Sequence, residues 1–161
     1  MLAETRCAHV HSIAWKAAAV VWAFVIFSMS TGPFGPGFTG PLLAGALSLV
    51  HLTVSTPHFE VLHLCVRKAA HLIEYAIFAL LLGKSSEEPP FPWRQRRLLA
   101  CFLILAAYSL TDEYHQSFVP GRTASLTDCG IDSVGGAMGI LLYYVNNLRL
   151  RAICPTTSEV S

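Results

Sequence analysis

Ionisable side chains crowd into three short stretches of the chain. The stretch TDEYHQSFVPGR, residues 111–122, holds two acids, a histidine, a glutamine and an arginine. Similar residue types occur before it, in RKAAHLIEY at residues 67–75, and after it, in TDCGID at residues 127–132. Histidine beside a carboxylate can act as a general acid and base, and arginine and lysine bind phosphate. The three stretches therefore supply the groups needed for acid–base chemistry on a phosphate-bearing substrate.

Histidines and cationic side chains carry this catalytic hypothesis. His71 or His115 could move a proton, with the imidazole oriented by Glu74, Glu113 or Asp128. Arginine can clamp a phosphate or pyrophosphate through its bidentate fork and lysine can do so as a point charge. The candidates for this binding role are Arg67, Lys68 and Arg122. Pro120 and Gly121 predict a sharp turn that aims Arg122 back at the acids before it.

Metal binding is a further hypothesis for the same acids. Mg²⁺ and Ca²⁺ favour several carboxylate oxygens, and the candidate ligands are Asp112, Glu113, Asp128 and Asp132. The five cysteines are scattered without CxxC spacing, which favours neither a zinc site nor a disulfide framework. The sequence leaves the cofactor undetermined, with a divalent cation as one alternative.

Composition indicates the environment in which these groups act. The chain has 161 residues, of which 53% are hydrophobic and 13% charged, whereas soluble domains carry roughly 25% charged residues. A soluble core of this size could not hide so much apolar surface. The net charge of +1 gives no general reason to expect nucleic acid as a partner. The composition therefore predicts a small polytopic membrane protein.

Apolar segments predict an all-α membrane helix bundle with four spans, at about residues 13–30, 67–83, 97–113 and 128–146. The Gly/Pro-rich stretch TGPFGPGFTGP, residues 31–41, is expected to break the helix after the first span. The segment at residues 42–65 is predicted to be interfacial or re-entrant, because its apolar run LLAGALSLVHLTV has only 13 residues, too few to cross. Within it, PHFEVLHLCV is predicted to start a helix with Pro57 in its first turn and to continue into the second span. The membrane domain would then cover residues 13–150, with tails at residues 1–12 and 151–161.

Basic residues predict the orientation of the bundle, because lysine and arginine in short loops remain cytoplasmic. The loop KSSEEPPFPWRQRR holds four of them, and each end of the chain holds two more. Both termini are therefore expected to be cytoplasmic, and HQSFVPGR to be extracytoplasmic. Arg67, Lys68 and Arg122 lie on the opposite side from the other basic residues. They stand among acids within motifs, so they are not counted in this prediction of orientation.

This orientation brings the polar residues to the outer ends of the spans. At about 100° per residue, Arg67, His71 and Glu74 share one stripe of the second span. Asp128 and Asp132 share a face of the fourth span with Gly135 and Gly139, whose G-x-x-x-G spacing predicts close packing of another helix. Ionisable groups at membrane depth usually face a bundle interior or a wet cavity. The sequence therefore predicts one polar pocket near the outer membrane surface.

The combination of these motifs resembles the VanZ-like family over residues 67–139. The matching features are a Lys-x-x-His-x-x-Glu-Tyr helix, an Asp-Glu-x-x-Gln segment, Pro-Gly-Arg, and two aspartates before a glycine-rich span. Beside the cationic residues, the predicted substrate-binding residues are Tyr75, Asp112, Gln116, Asp132 and Ser28, the last taken as the family's serine at the end of the first span.

The resemblance implies a multi-pass protein of the bacterial cytoplasmic membrane and cell envelope. The founding member contributes to low-level resistance to teicoplanin-type glycopeptides. Its reaction is not implied, so two classes of function remain open. One is an enzyme, a hydrolase or transferase that acts on a phospholipid or a lipid-linked cell-wall intermediate. The other is a non-catalytic binding or structural protein whose charged cluster holds the helices together.

Overall fold

The computed structural model describes residues 2–32, 36–85, 93–120 and 125–153. Within these ranges all regular secondary structure is helical, which confirms the all-α prediction. The elements are α1 (Leu2–Met29), α2 (Pro36–Leu49), α3 (Thr56–Lys84), α4 (Trp93–Gln116) and α5 (Leu126–Ile153).

Local sequence explains where α3 and α5 begin. Ser55 precedes α3 with extended backbone, and Pro57 lies in its first turn, where its missing N–H leaves no bond unmade. The prediction that a helix starts near Pro57 and continues through the second span is confirmed. The hydroxyl of Ser125 accepts the backbone N–H of Thr127 at 3.2 Å, and Asp128 in the first turn of α5 interacts favourably with the helix dipole.

Three helix boundaries differ from the predicted ones. Residues 2–12, predicted as a tail, are helical and extend α1. The segment predicted at residues 42–65 is divided, because α2 ends at Leu49 and His51 adopts a left-handed φ of 56° before α3 begins. The helix α2 also starts earlier than expected, since Pro36 suits a first helical turn.

The helix α3 lies at the centre of the bundle and packs against α1, α2, α4 and α5. Gly135 and Gly139 of α5 bring that helix against the α3 backbone. A Cβ at Gly135 would overlap the carbonyl oxygen of Leu72, and one at Gly139 would overlap that of Ala76. The predicted role of the G-x-x-x-G pair in close helix packing is confirmed.

Aromatic donors join α1 to its two neighbours at a single level. The indole Nε1 of Trp22 donates to the Glu74 carbonyl oxygen of α3 at 2.9 Å. The Tyr108 hydroxyl of α4 donates to the Ala23 carbonyl oxygen at 2.6 Å. Trp22, Ala23 and Tyr108 pack against a small apolar core that includes Ile26, Tyr75, Phe78, Ala79 and Leu105.

Length and apolarity support one membrane-crossing segment among the described helices. The 18 residues Ser12–Met29 of α1 are long and apolar enough to cross a membrane, and lie near the N-terminus. No other described helix meets the same requirement. The predicted spans in α3, α4 and α5 include the charged residues of the candidate site, which lower their hydropathy. The prediction of four spans is therefore not confirmed by composition and length.

Candidate functional site

The first buried polar group joins the ends of α1 and α4. The Ser30 hydroxyl donates to Oδ2 of Asp112 at 2.7 Å, and Nε2 of Gln116 donates to the same oxygen at 2.9 Å. All three side chains are buried. Asp112 and Gln116 are four residues apart on α4 and so lie on one face of that helix.

The second buried polar group joins α3, α4 and α5. Nδ1 of His71 lies 3.3 Å from Oδ1 of Asp132, which is the distance of an ion pair when the imidazole is protonated. The Ser109 hydroxyl donates to Oδ2 of Asp132 at 2.7 Å. Asp132 has no exposed surface. A fully buried carboxylate is stable only with such partners. The contact between Asp132 and His71 is therefore a candidate for acid–base chemistry inside the bundle.

A small cleft gives access to His71 from outside the bundle. Its volume is about 60 Å³, enough for water or for part of a headgroup. It is lined by α1, α2 and α3 through Met29, Ser30, Thr39, Arg67, Ala70, His71 and Glu74. We call it the polar cleft. Thr39 is held there by a contact of 2.8 Å between its Oγ1 and Nε2 of His63.

Charged residues next to the polar cleft are partly neutralised. Nζ of Lys68 lies 2.5 Å from Oδ1 of Asp128, and both side chains are partly exposed. Oε2 of Glu113 accepts the backbone N–H of Ser125 at 2.7 Å, just before α5 begins. These contacts tie the loop side of α4 and α5 to α3.

The VanZ/LLP1 family model matches residues 15–148, which includes every described residue of the polar cleft and of both buried groups. The chain belongs to the VanZ/LLP1 family. The resemblance seen in the motifs is thereby confirmed. No curated protein matches the chain, and no solved structure matches it.

The VanZ/LLP1 motif residues fall into three positions relative to the polar cleft. Arg67, His71 and Glu74 line it. Asp112, Gln116 and Asp132 are buried in the two polar groups described above, and Tyr75 is fully buried in the apolar core. Lys68, Asp128 and Glu113 form the neighbouring contacts. Arg122, predicted as the phosphate clamp, lies outside the described residues.

Two further predicted site residues, Ser28 and His115, belong to none of these three positions. The Ser28 hydroxyl donates to the Phe24 carbonyl oxygen within α1 and is exposed, and the serine that contacts Asp112 is Ser30. The His115 ring packs against Phe27, with 4.4 Å between the ring centroids. Sequence analysis also missed Ser109, although it lies on α4 one turn before Asp112.

Several buried polar atoms of the VanZ/LLP1 bundle have no hydrogen-bond partner among the described residues. They are Nδ1 of His71, the Tyr75 hydroxyl, Oδ1 of Asp112, Oε1 of Glu113, Nε2 of His115, Oδ1 of Asp132 and Nε of Arg97. Buried polar atoms are normally paired. Six of the seven belong to predicted site residues, so buried polar atoms without a hydrogen-bond partner are concentrated at this end of the bundle.

The metal hypothesis gains no support from the described geometry. Within residues 2–32, 36–85, 93–120 and 125–153, no three His, Cys, Asp or Glu side chains are grouped closely enough to hold a metal ion. The four candidate ligands separate instead: Asp112 pairs with Ser30 and Gln116, Asp128 with Lys68, Asp132 with His71 and Ser109, and Glu113 with the Ser125 backbone.

Proposed function

We propose that this VanZ/LLP1 protein crosses the bacterial cytoplasmic membrane four times, with the polar cleft at its extracytoplasmic face and both termini in the cytoplasm. Support comes from the distribution of polar and apolar side chains, which is the reverse of that in a soluble protein. Large apolar side chains are more than half exposed on each long helix, among them Phe24, Val61, Leu103 and Leu141, whereas Asp112, Gln116 and Asp132 are buried. Such extensive exposed apolar surface suits lipid better than water.

Reporter fusions test this topology. A reporter that is active only outside the cytoplasm is expected to be inactive when fused after Ser85 and active when fused after Ser117. The two positions follow the ends of α3 and α4. Activity after Ser85 would reverse the orientation and move the polar cleft to the cytoplasmic face.

We further propose that the polar cleft binds the phosphate of a membrane lipid or lipid-linked cell-wall intermediate. The observation that carries this proposal is that Arg67 and His71 line the same cleft, with Nδ1 of His71 3.3 Å from the buried Asp132 carboxylate. Lys68 is neutralised by Asp128, but no described carboxylate forms an ion pair with Arg67. The guanidinium fork suits phosphate oxygens.

The His71–Asp132 pair supports acid–base chemistry on the bound lipid. The Asp132 carboxylate, 3.3 Å from Nδ1 of His71, favours the protonated imidazole by its charge, while the Ser109 hydroxyl donates to the carboxylate. The imidazole is then able to take a proton from water or a substrate hydroxyl and return it to a leaving group. A lipid hydrolase or transferase requires these two proton transfers.

Arg67→Gln tests the binding role, with Lys68→Gln as the matched control. Loss of the fork is expected to weaken binding of a polyprenyl phosphate at least about tenfold, because a charge-assisted hydrogen bond contributes about 1.5–3 kcal/mol. Lys68→Gln should weaken it less, since that ammonium already pairs with Asp128. Binding is measured by native mass spectrometry of the purified chain. Equal losses in the two variants would contradict a specific role for Arg67.

A non-catalytic role is the second candidate, and the Ser30–Asp112–Gln116 group favours it. These buried side chains hydrogen-bond to one another through Oδ2 of Asp112 and join α1 to α4 without a substrate. Lipidomics of a deletion strain complemented with wild type or His71→Asn separates the two. An enzyme requires His71 to restore the lipid profile. A purely structural or binding protein restores it with either chain, and glycopeptide susceptibility is scored in the same strains.

A further inference from the structure

A second, larger recess lies between α1 and α5, with α3 as its floor. Its volume is about 660 Å³, within the range of roughly 300–1,000 Å³ that small-ligand pockets occupy. We call it the α1–α5 groove. Its lining includes Trp15 of α1, Leu80 and Lys84 of α3, and Leu142, Asn146 and Asn147 of α5.

The α1–α5 groove lies at the other end of the bundle from the polar cleft. Two helices place the two sites 13 to 15 residues apart: Trp15 is on α1 and Ser30 just after it, and Lys84 and His71 are both on α3. At 1.5 Å per residue this is about 20–22 Å along the bundle. The polar cleft and the α1–α5 groove are therefore separate sites.

Polar groups gather at one end of an otherwise apolar groove. Nζ of Lys84 stands 4.5 Å from the centroid of the Trp15 ring, a cation–π distance that places the ammonium at the α1 side of the groove. Asn146 and Asn147 add amide groups from α5, while Leu80 and Leu142 form part of the apolar wall of the groove. Among the described lining residues none is acidic. The groove therefore complements a molecule with an anionic head and an apolar tail.

We propose that the α1–α5 groove binds an anionic phospholipid, with an acyl chain against Leu80 and Leu142 and the phosphate at Lys84. Tryptophan and lysine are the residues that anchor proteins at the level of lipid headgroups. Packing around Lys84 fixes the end of α3: Gly83 contacts the Tyr143 ring, and Arg97 donates to the Gly83 carbonyl oxygen. The cationic group is thus presented from a restrained helix end.

Lys84→Gln is the test, with Lys16→Gln as a control that removes an exposed cation from the same end of α1. In native mass spectrometry of the full chain, Lys84→Gln is expected to bind phosphatidylglycerol about fivefold more weakly. Binding of phosphatidylcholine should change less, and Lys16→Gln should match the wild type. Leu142→Trp, which fills the groove and keeps the charge, should also reduce phosphatidylglycerol binding.

Other occupants give different results, and each would overturn the proposal. Equal losses for Lys84→Gln and Lys16→Gln would indicate diffuse attraction to charge. Displacement of the lipid by inorganic phosphate at equal concentration would indicate a site for free phosphate. A dimer that forms without lipid and is broken by Leu142→Trp would indicate a second copy of the chain in the groove. In an Arg67→Gln background, which weakens binding at the polar cleft, Lys84→Gln should lower phosphatidylglycerol binding by the same factor, and this keeps the test independent of the polar cleft.

Discussion

Asp132→Asn is expected to lower activity at least about hundredfold while the protein folds and reaches the membrane normally. The amide keeps the shape of the carboxylate, and its oxygen still accepts the Ser109 hydroxyl. It has no charge with which to stabilise a protonated His71, 3.3 Å away in the present structure. The measurement is the rate at which membranes of a complemented deletion strain convert the lipid species that accumulates without the protein.

Glu60→Gln is the matched control for this prediction, because Glu60 is an exposed carboxylate on α3 outside the polar cleft. It should convert the lipid at the wild-type rate. Helix content and membrane abundance are compared for all three chains. If Asp132→Asn keeps more than half of the activity at equal abundance, the His71–Asp132 pair holds the helices together and takes no part in proton transfer.

Gly135→Ala is expected to destabilise the bundle by about 1–3 kcal/mol, the usual cost of overpacking. The added methyl group meets the Leu72 carbonyl oxygen and its neighbouring backbone atoms. A backbone carbonyl cannot rotate away as a flexible side chain would, so α3 and α5 have to separate. The measurement is the temperature of half-unfolding of the detergent-purified chain, followed by circular dichroism.

Gly130→Ala is the control from the same helix, since a Cβ there meets nothing within 4 Å. Alanine in an open helical position should be neutral, or should stabilise by about 0.5–1 kcal/mol because glycine is a poor helix former. If the two alanine variants unfold at the same temperature, the close contact between Gly135 and Leu72 does not limit stability.

Sequence periodicity predicted the features that depend on one helix or on a glycine pair. Arg67, His71 and Glu74 line one cleft because their spacing places them on one stripe of α3. Gly135 and Gly139 meet α3 because only glycine leaves the backbone accessible there. These relations follow from the geometry of a single helix, which sequence spacing determines.

The remaining details depend on how neighbouring helices are rotated, and spacing alone does not determine that. Ser28 and Ser30 both end α1, yet two residues turn a side chain by about 200° around the axis. Only Ser30 faces Asp112, while Ser28 bonds within its own helix. Ser109 was overlooked for a similar reason, because a serine within an apolar run shows its partner only after α5 is in place.

The hydrogen bonds donated by the Trp22 and Tyr108 side chains restrict sliding of α1 along the bundle axis. Trp22 bonds α3 and Ala23 accepts a bond from α4, so α1 is fixed to both neighbours at one height. Sliding α1 by one helical pitch of about 5.4 Å would break both bonds together. Ser30 lies about two turns further along α1, and Asp112 about one turn beyond Tyr108. The two bonds therefore set the axial register that keeps the Ser30 hydroxyl level with the Asp112 carboxylate.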